Sequence, residues 1–316
     1  MLRWRLLSAG VIIALAVSLA ALDFLGVVGA PPGTWLLLLL LLITVLGTEE
    51  CLSLLAAKNL RPAPAPVYFG TLAVVVAFAW PVFWYLAGGY FLPLVIADNL
   101  GSEKSPAGDI SPPLVVLALA VVLVFVAELR RFDRPGQHVV HIALALFTIG
   151  YLGVLGGFLI ALRLFHGDNG LGITALVSML VVVKMSDAGA YAFGRLLGAT
   201  KLTPKLSPGK TVEGAIGGVA TGCVASWAFF QFIAPELIAA HSQWVRPTWL
   251  ATMVYGLVLS LAAMIGDLTE SLLKRDMERK DSSTWLPGLG GVLDIMDSIL
   301  VAAPVAYLCW EWGLVS

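Results

Sequence analysis

The chain has 316 residues, 59% of them hydrophobic and only 12% charged, with 19 Lys and Arg against 20 Asp and Glu. That apolar load exceeds what a soluble domain of this length can bury, while a net charge of −1 says nothing about nucleic acid. The composition therefore describes a polytopic membrane protein, and the mean hydropathy of +0.93 agrees.

Taken in chain order, about nine stretches are long and apolar enough to cross a bilayer: about 5 to 28, 34 to 57, 66 to 86, 112 to 129, 139 to 162, 171 to 194, 212 to 234, 248 to 270 and 292 to 313. Backbone groups in hydrocarbon must be satisfied within a helix or a closed barrel, and WLLLLLLLITVLG lacks the alternation of a barrel strand. The expected fold is all-α. MLRWR followed by an apolar run also has the layout of a secretory signal, but the run is long for one and is read as a retained span. Gly88 to Ala97 is apolar, too short to span and broken by Pro93, which suits a re-entrant or interfacial piece leading into a polar loop. Cys51, Cys223 and Cys309 show no CxxC spacing, so neither a disulfide framework nor a zinc site is indicated. Residues 1–135 are read as N-terminal helices and 136–316 as the catalytic region.

Short cytoplasmic loops retain positive charge. With the N-terminus in the cytoplasm, that side holds Arg3, Arg5, Lys58, Arg61, Arg130, Arg131, Arg134, Arg195, Lys201, Lys205, Lys210, Lys274, Arg275, Arg279 and Lys280. Lys104, Arg163 and Arg246 fall on the other side, and Lys184 lies within a span.

Charge at membrane depth is costly and marks function, and three clusters carry it. In KMSDAGAYAFGR, Asp187, Tyr191 and Arg195 recur every four residues on one helix face, although Lys184 and Asp187 also suit a self-neutralising pair. In GDLTESLLKR, Asp267, Glu270, Ser271 and Lys274 form a polar stripe on an apolar helix, and converging carboxylates are what a hard cation such as Mg2+ requires. A solvated helix end would explain Lys274 and Arg275 but fits Asp267 poorly. The third cluster runs from Lys280 and Asp281 through LPGLGG into a helix with Asp294 and Asp297 one turn apart. A glycine-rich turn at a helix N-terminus suits phosphate, while acidic residues there are also stabilising without any ligand.

Between the first two clusters, ATKLTPKLSPGKTVEG reads as a basic loop carrying Lys201, Lys205 and Lys210. SPGKT is no P-loop, because Pro204 stands where that motif needs its first glycine. The loop suits a polyphosphate or anionic lipid head groups.

These motifs together resemble the phosphatidate cytidylyltransferase (CDP-diglyceride synthase) family. The resemblance is carried by Asp187, Gly189, Ala190, Tyr191, Gly194 and Arg195; by Ser207, Pro208, Lys210, Thr211, Glu213 and Gly214; and by Gly266, Asp267, Leu268, Glu270 and Ser271. It continues through Lys274, Arg275, Lys280, Asp281, Pro287, Gly288, Gly290, Gly291, Asp294 and Asp297. Two positions depart from the family pattern: Leu289 replaces its His and Ile295 its Arg. Such changes bear on nucleotide affinity and substrate identity more than on reaction class.

The resemblance implies transfer of a cytidylyl group from CTP to phosphatidic acid, with Mg2+ as cofactor, in a bacterial inner membrane and with the site facing the cytoplasm. It implies Asp267, Asp281, Asp294, Asp297 and Lys274 in catalysis, with Asp267, Glu270, Asp294 and Asp297 at the metal. Lys210, Arg275, Lys280, Gly290 and Gly291 would take the nucleotide, and Asp187, Tyr191 and Arg195 would line a lipid-facing cavity. Partners are CTP, phosphatidic acid and membrane lipids, with no nucleic acid and a homodimer left open. A CTP-dependent lipid or polyprenol kinase and an ion-coupled transporter remain the alternatives. The transporter is disfavoured by the cations gathered beside the acids.

Overall fold

Apolar runs without water become helices because each must satisfy its own amides and carbonyls. The computed structural model describes residues 2–86, 111–238, 244–283, 285 and 290–315, and within them the chain is almost wholly helical. In chain order the helices are α1 (Leu2–Phe24), α2 (Thr34–Ala56), α3 (Pro64–Phe78), α4 (Trp80–Leu86), α5 (Ser111–Arg131), α6 (His138–Thr148), α7 (Leu155–Arg163), α8 (Asn169–Leu197), α9 (Val212–Ala228), α10 (Ala234–Ile238), α11 (Trp249–Asp276) and α12 (Leu293–Glu311). Short π-helical stretches, Ile149–Val154 and Phe229–Ile233, join α6 to α7 and α9 to α10.

Seven continuous helical stretches among the described residues are long and apolar enough to cross a membrane. They are Thr34–Ala56, Pro112–Arg131, His138–Gly167, Asn169–Leu197, Val212–Ile238, Trp249–Asp276 and Leu293–Glu311. The expected stretches 5 to 28 and 66 to 86 correspond to α1 and to α3 with α4. The second of these is interrupted at Ala79 (φ −85°, ψ 9°), two residues before Pro81, which has no N–H to continue the helical ladder. The segment Gly88 to Ala97 lies outside the described residues.

The basic stretch after α8 is a correction to the expected loop. It is a small antiparallel hairpin, β1 (Lys201–Thr203) and β2 (Ser207–Thr211), with Thr203 opposite Ser207. Pro204 and Lys205 supply the turn, and β-branched Thr203 and Thr211 suit the extended backbone on either side. Glu213 accepts the Ala199 and Thr200 amides at 3.1 Å, and Thr211 caps α9 by accepting the Gly214 amide at 3.1 Å.

Loops that the charge count places on one face meet there. Lys58 pairs with Glu278 at 2.6 Å, and Arg131 donates to the Arg61 carbonyl at 3.3 Å. On that face, buried Glu128 at the end of α5 accepts from Arg131 and lies 3.0 Å from His138, tying α5 to α6. The opposite end holds Arg163, one of the exceptions to the charge count. It is fully buried, donating to Asp23 Oδ2 at 2.6 Å and Asn169 Oδ1 at 2.5 Å. Asp23 also accepts the Gly33 and Trp35 amides, so this polar knot fastens α1 and α2 to α8.

Packing crosses the division at residue 135. Cys51, Leu54 and Leu55 of α2 share one apolar core with α8, α11 and α12, while a second core joins α2, α3, α5 and α6.

Candidate functional site

Helices α8, α9, α11 and α12, with the hairpin above them, enclose a cavity of about 440 Å³. Small residues make the close approach possible. A Cβ on Gly218 of α9 would lie 2.9 Å from the Ala190 Cβ of α8, and one on Gly266 of α11 would lie 3.0 Å from the Ser298 Cα of α12. Gly266 thereby lets Asp267 stand beside Asp297.

Seven of the residues expected from sequence line this cavity: Asp187, Tyr191, Arg195, Lys210, Asp267, Asp294 and Asp297. Lys184 joins them, 3.4 Å from Asp187 and 3.3 Å from the Ile295 carbonyl. Lys210 on β2 pairs with Asp267 at 2.6 Å, which pins the hairpin over the cavity. Arg195 donates to the Tyr191 hydroxyl at 3.2 Å, on the exposed face of α8. Asp297 is buried, and its Oδ1 accepts the Ser298 amide at 2.5 Å and the Ser298 hydroxyl at 3.0 Å. Deeper in the spans the lining becomes small and apolar, with Gly218, Val219 and Met264.

A second group stands behind the cavity. Lys274 bridges Glu270 Oε2 at 2.6 Å and Asp294 Oδ1 at 2.5 Å. Asp294 Oδ2 accepts the Gly291 amide at 2.7 Å, the Ser282 amide at 3.1 Å and the Ser282 hydroxyl at 2.7 Å. Both oxygens of Asp294 are thus held by the protein, and Lys274 is engaged by carboxylates. The α12 N-terminus, where the sequence suggests phosphate, carries a protein anion. Glu50 of α2 accepts the Val292 and Leu293 amides at 2.9 Å each. Gly291 permits this, because a Cβ there would strike the Glu50 carboxylate, and Gly290 adopts the left-handed φ of +89°.

Among the described residues, Arg275, Lys280 and Asp281 do not line the cavity. Arg275 is exposed and donates to the Leu206 carbonyl at 3.4 Å, bracing the hairpin turn. Lys280 and Asp281 are exposed on the segment leading to Ser282. Pro287, Gly288 and Leu289 lie outside the described residues.

The donor set suits a hard divalent cation. Glu270 and Asp297 are buried and Asp294 nearly so, Lys274 is shared between Glu270 and Asp294, and Glu270 Oε1 is buried with no hydrogen-bond partner. An unpartnered carboxylate oxygen among shielded acids is a donor that a hard cation fits.

Sequence reasoning missed Glu50, Ser282 and Ser298. The signal for Glu50 was present: Glu49 and Glu50 interrupt an otherwise uncharged span, the same criterion that singled out Asp267. Ser282 and Ser298 carry no signal of their own; only the packed helices show which carboxylates they serve.

Fold and site together define a polytopic helical membrane protein with carboxylates and cations clustered around a cavity that is part polar and part apolar. The chain belongs to the Cytidylyltransferase family, which it matches over residues 5–312. It is 31% identical over 284 residues to a phosphatidate cytidylyltransferase of Bacillus subtilis (strain 168), covering 90% of each chain. A phosphatidate cytidylyltransferase of Staphylococcus haemolyticus (strain JCSC1435) is 28% identical over 273 residues, 86% of this chain and 88% of that one. One of Brucella suis biovar 1 (strain 1330) is 42% identical over 149 residues; this match covers 47% of the present chain and about half, 51%, of that relative's length.

Proposed function

We propose that this protein is a phosphatidate cytidylyltransferase, moving a cytidylyl group from CTP to phosphatidic acid to give CDP-diacylglycerol and pyrophosphate. The observation that carries the reading is the convergence of Asp187, Asp267, Asp294 and Asp297 with Lys184, Lys210 and Arg195 around one cavity. Family membership and the similar proteins' names support it.

In this reaction a phosphatidate oxygen attacks the α-phosphorus of CTP, and the bond from that phosphorus to the bridging oxygen of the β-phosphate breaks. The nucleophile is already an anion, so no strong general base is needed; positioning and charge neutralisation carry the catalysis. Mg2+ would be held by Asp267 and Asp297 with Glu270 behind, and would neutralise triphosphate charge. Asp294 is part of the proposed metal centre too, but would have to exchange its contact with Lys274 to reach an ion. Lys210 and Lys184 would donate to nucleotide phosphates, Lys210 by leaving Asp267. Asp187, Tyr191 and Arg195 would face the lipid head group, with acyl chains toward Val219 and Met264. Arg275, Lys280, Gly290 and Gly291 would shape the nucleotide end by holding the hairpin and loop, with Asp281 beside them. Proposed partners are CTP, phosphatidic acid and the surrounding lipids, without nucleic acid; a homodimer stays open. The proposed location is a bacterial inner membrane with the basic face in the cytoplasm.

The test uses purified protein, Mg2+, phosphatidic acid and CTP labelled at either the α- or the γ-phosphate, followed by lipid extraction. Cytidylyl transfer carries only the α-label into lipid. Entry of the γ-label would establish a kinase instead, and absence of both would overturn the reading.

A further inference from the structure

Helix α12 carries Asp294 and Asp297 in its first turns, yet its N-cap residue, Val292, has no side chain able to cap it. The cap comes from 242 residues away. Glu50 of α2 is 1% exposed; its Oε1 accepts the Val292 amide at 2.9 Å and the Ser283 hydroxyl at 2.7 Å. Its Oε2 accepts the Leu293 amide at 2.9 Å and lies 3.2 Å from the Ser282 hydroxyl, which itself lies 2.7 Å from Asp294 Oδ2. A buried carboxylate is expensive unless several donors and a favourable dipole hold it, and here two amides, the Ser283 hydroxyl and the positive end of α12 do so. Mere packing would be served more cheaply by an apolar residue.

We propose that Glu50 is a positioning residue for cytidylyl transfer: an internal anion from the N-terminal helices that caps α12, the helix carrying Asp294 and Asp297, and meets Asp294 across the Ser282 hydroxyl. Glu50 does not line the cavity, so it acts through those aspartates. The proposal rests on the function given above.

Glu50→Gln keeps the volume, but turns an NH2 group toward an amide or hydroxyl donor. In purified protein the variant is compared with the parent for kcat, KM, Mg2+ dependence and hydrogen exchange of peptides spanning 290–300. Loss of the cap should raise exchange at Val292 and Leu293 about tenfold. We expect kcat to fall about 30-fold or more through misplacement of the aspartates. KM for phosphatidic acid should stay within about twofold and the Mg2+ requirement should rise about fivefold, because the lipid contacts are untouched while the acid cluster is not. Should Glu50→Gln fail to fold, Ser282→Ala, which leaves the α12 cap in place, must still raise the Mg2+ requirement. Raised exchange with unchanged kcat and unchanged Mg2+ dependence overturns the positioning role and leaves Glu50 a structural anchor. A parent protein that labels no lipid from CTP overturns the function itself, and the exchange data then still report whether Glu50 caps α12.

Discussion

Lys274 stands 2.5 Å from Asp294 and 2.6 Å from Glu270, so one ammonium serves carboxylates on both α11 and α12. Removing it leaves two shielded anions without a counter-ion. Lys274→Met should therefore destabilise the protein by about 3–5 kcal/mol and abolish transfer. Thermal unfolding in detergent checks the first part; a melting temperature equal to the parent's would show that the pair contributes little.

The acid cluster divides by geometry. Asp267→Asn and Asp297→Asn each remove an anionic oxygen facing the cavity, and should lower the rate about 100-fold or more, at least about 2.7 kcal/mol. Both should raise the Mg2+ requirement. Asp294→Asn should in addition lower the melting temperature, because Asp294 also holds Lys274, Ser282 and Gly291. Mg2+ titrations and unfolding curves of the three variants make the comparison. Normal transfer with unchanged Mg2+ dependence in all of them would remove the aspartates from the mechanism.

Chelation with EDTA should stop turnover and added Mg2+ restore it, because the proposed role of the acids is to hold a cation at the triphosphate. Full activity in EDTA would contradict this use of the acids.

Arg163 and Asp23 form a buried pair far along the chain from the acid cluster, at the opposite end of the spans from Lys58 and Glu278. Arg163→Met should cost about 3–5 kcal/mol by stranding Asp23. Specific activity per folded molecule should stay near the parent's. A large loss of kcat at unchanged stability would mean that the knot communicates with the cavity.

Single cysteines at Lys58, Arg134 and Lys205 should be labelled from one side of the membrane and a cysteine at Arg246 from the other. The exposed Lys58–Glu278 contact fits this sidedness: Glu278 holds the lysine above its ordinary pKa, and Lys58 holds the glutamate below its own. The pair's small contribution is therefore lost as pH falls through the lowered Glu278 value or rises through the raised Lys58 value. Labelling of Lys58 and Arg134 positions from opposite sides would break the topology.

Hydrocarbon leaves a backbone few choices, so apolar runs alone determine an all-α membrane fold, and the basic loops sort the helix ends into two faces. Motif spacing likewise determines that Asp187, Tyr191 and Arg195 share a face and that Asp294 and Asp297 lie one turn apart, because helical periodicity is local. What lies across helices is not local. Which cation meets which acid, as in Lys210 with Asp267 and Lys274 with Asp294, depends on how α8, α9, α11 and α12 approach, and glycines such as Gly266 decide that approach. The break at Ala79 was signalled by Pro81. The hairpin at Lys201–Thr211 is not legible as strand, because its basic residues suggest a solvated loop, whereas contacts from Asp267, Arg275 and Glu213 hold it extended. Glu50 shows the difference most plainly: its cost in a membrane span is legible in the sequence, but only the tertiary structure gives it the two amides of α12, 242 and 243 residues away, that make the cost bearable.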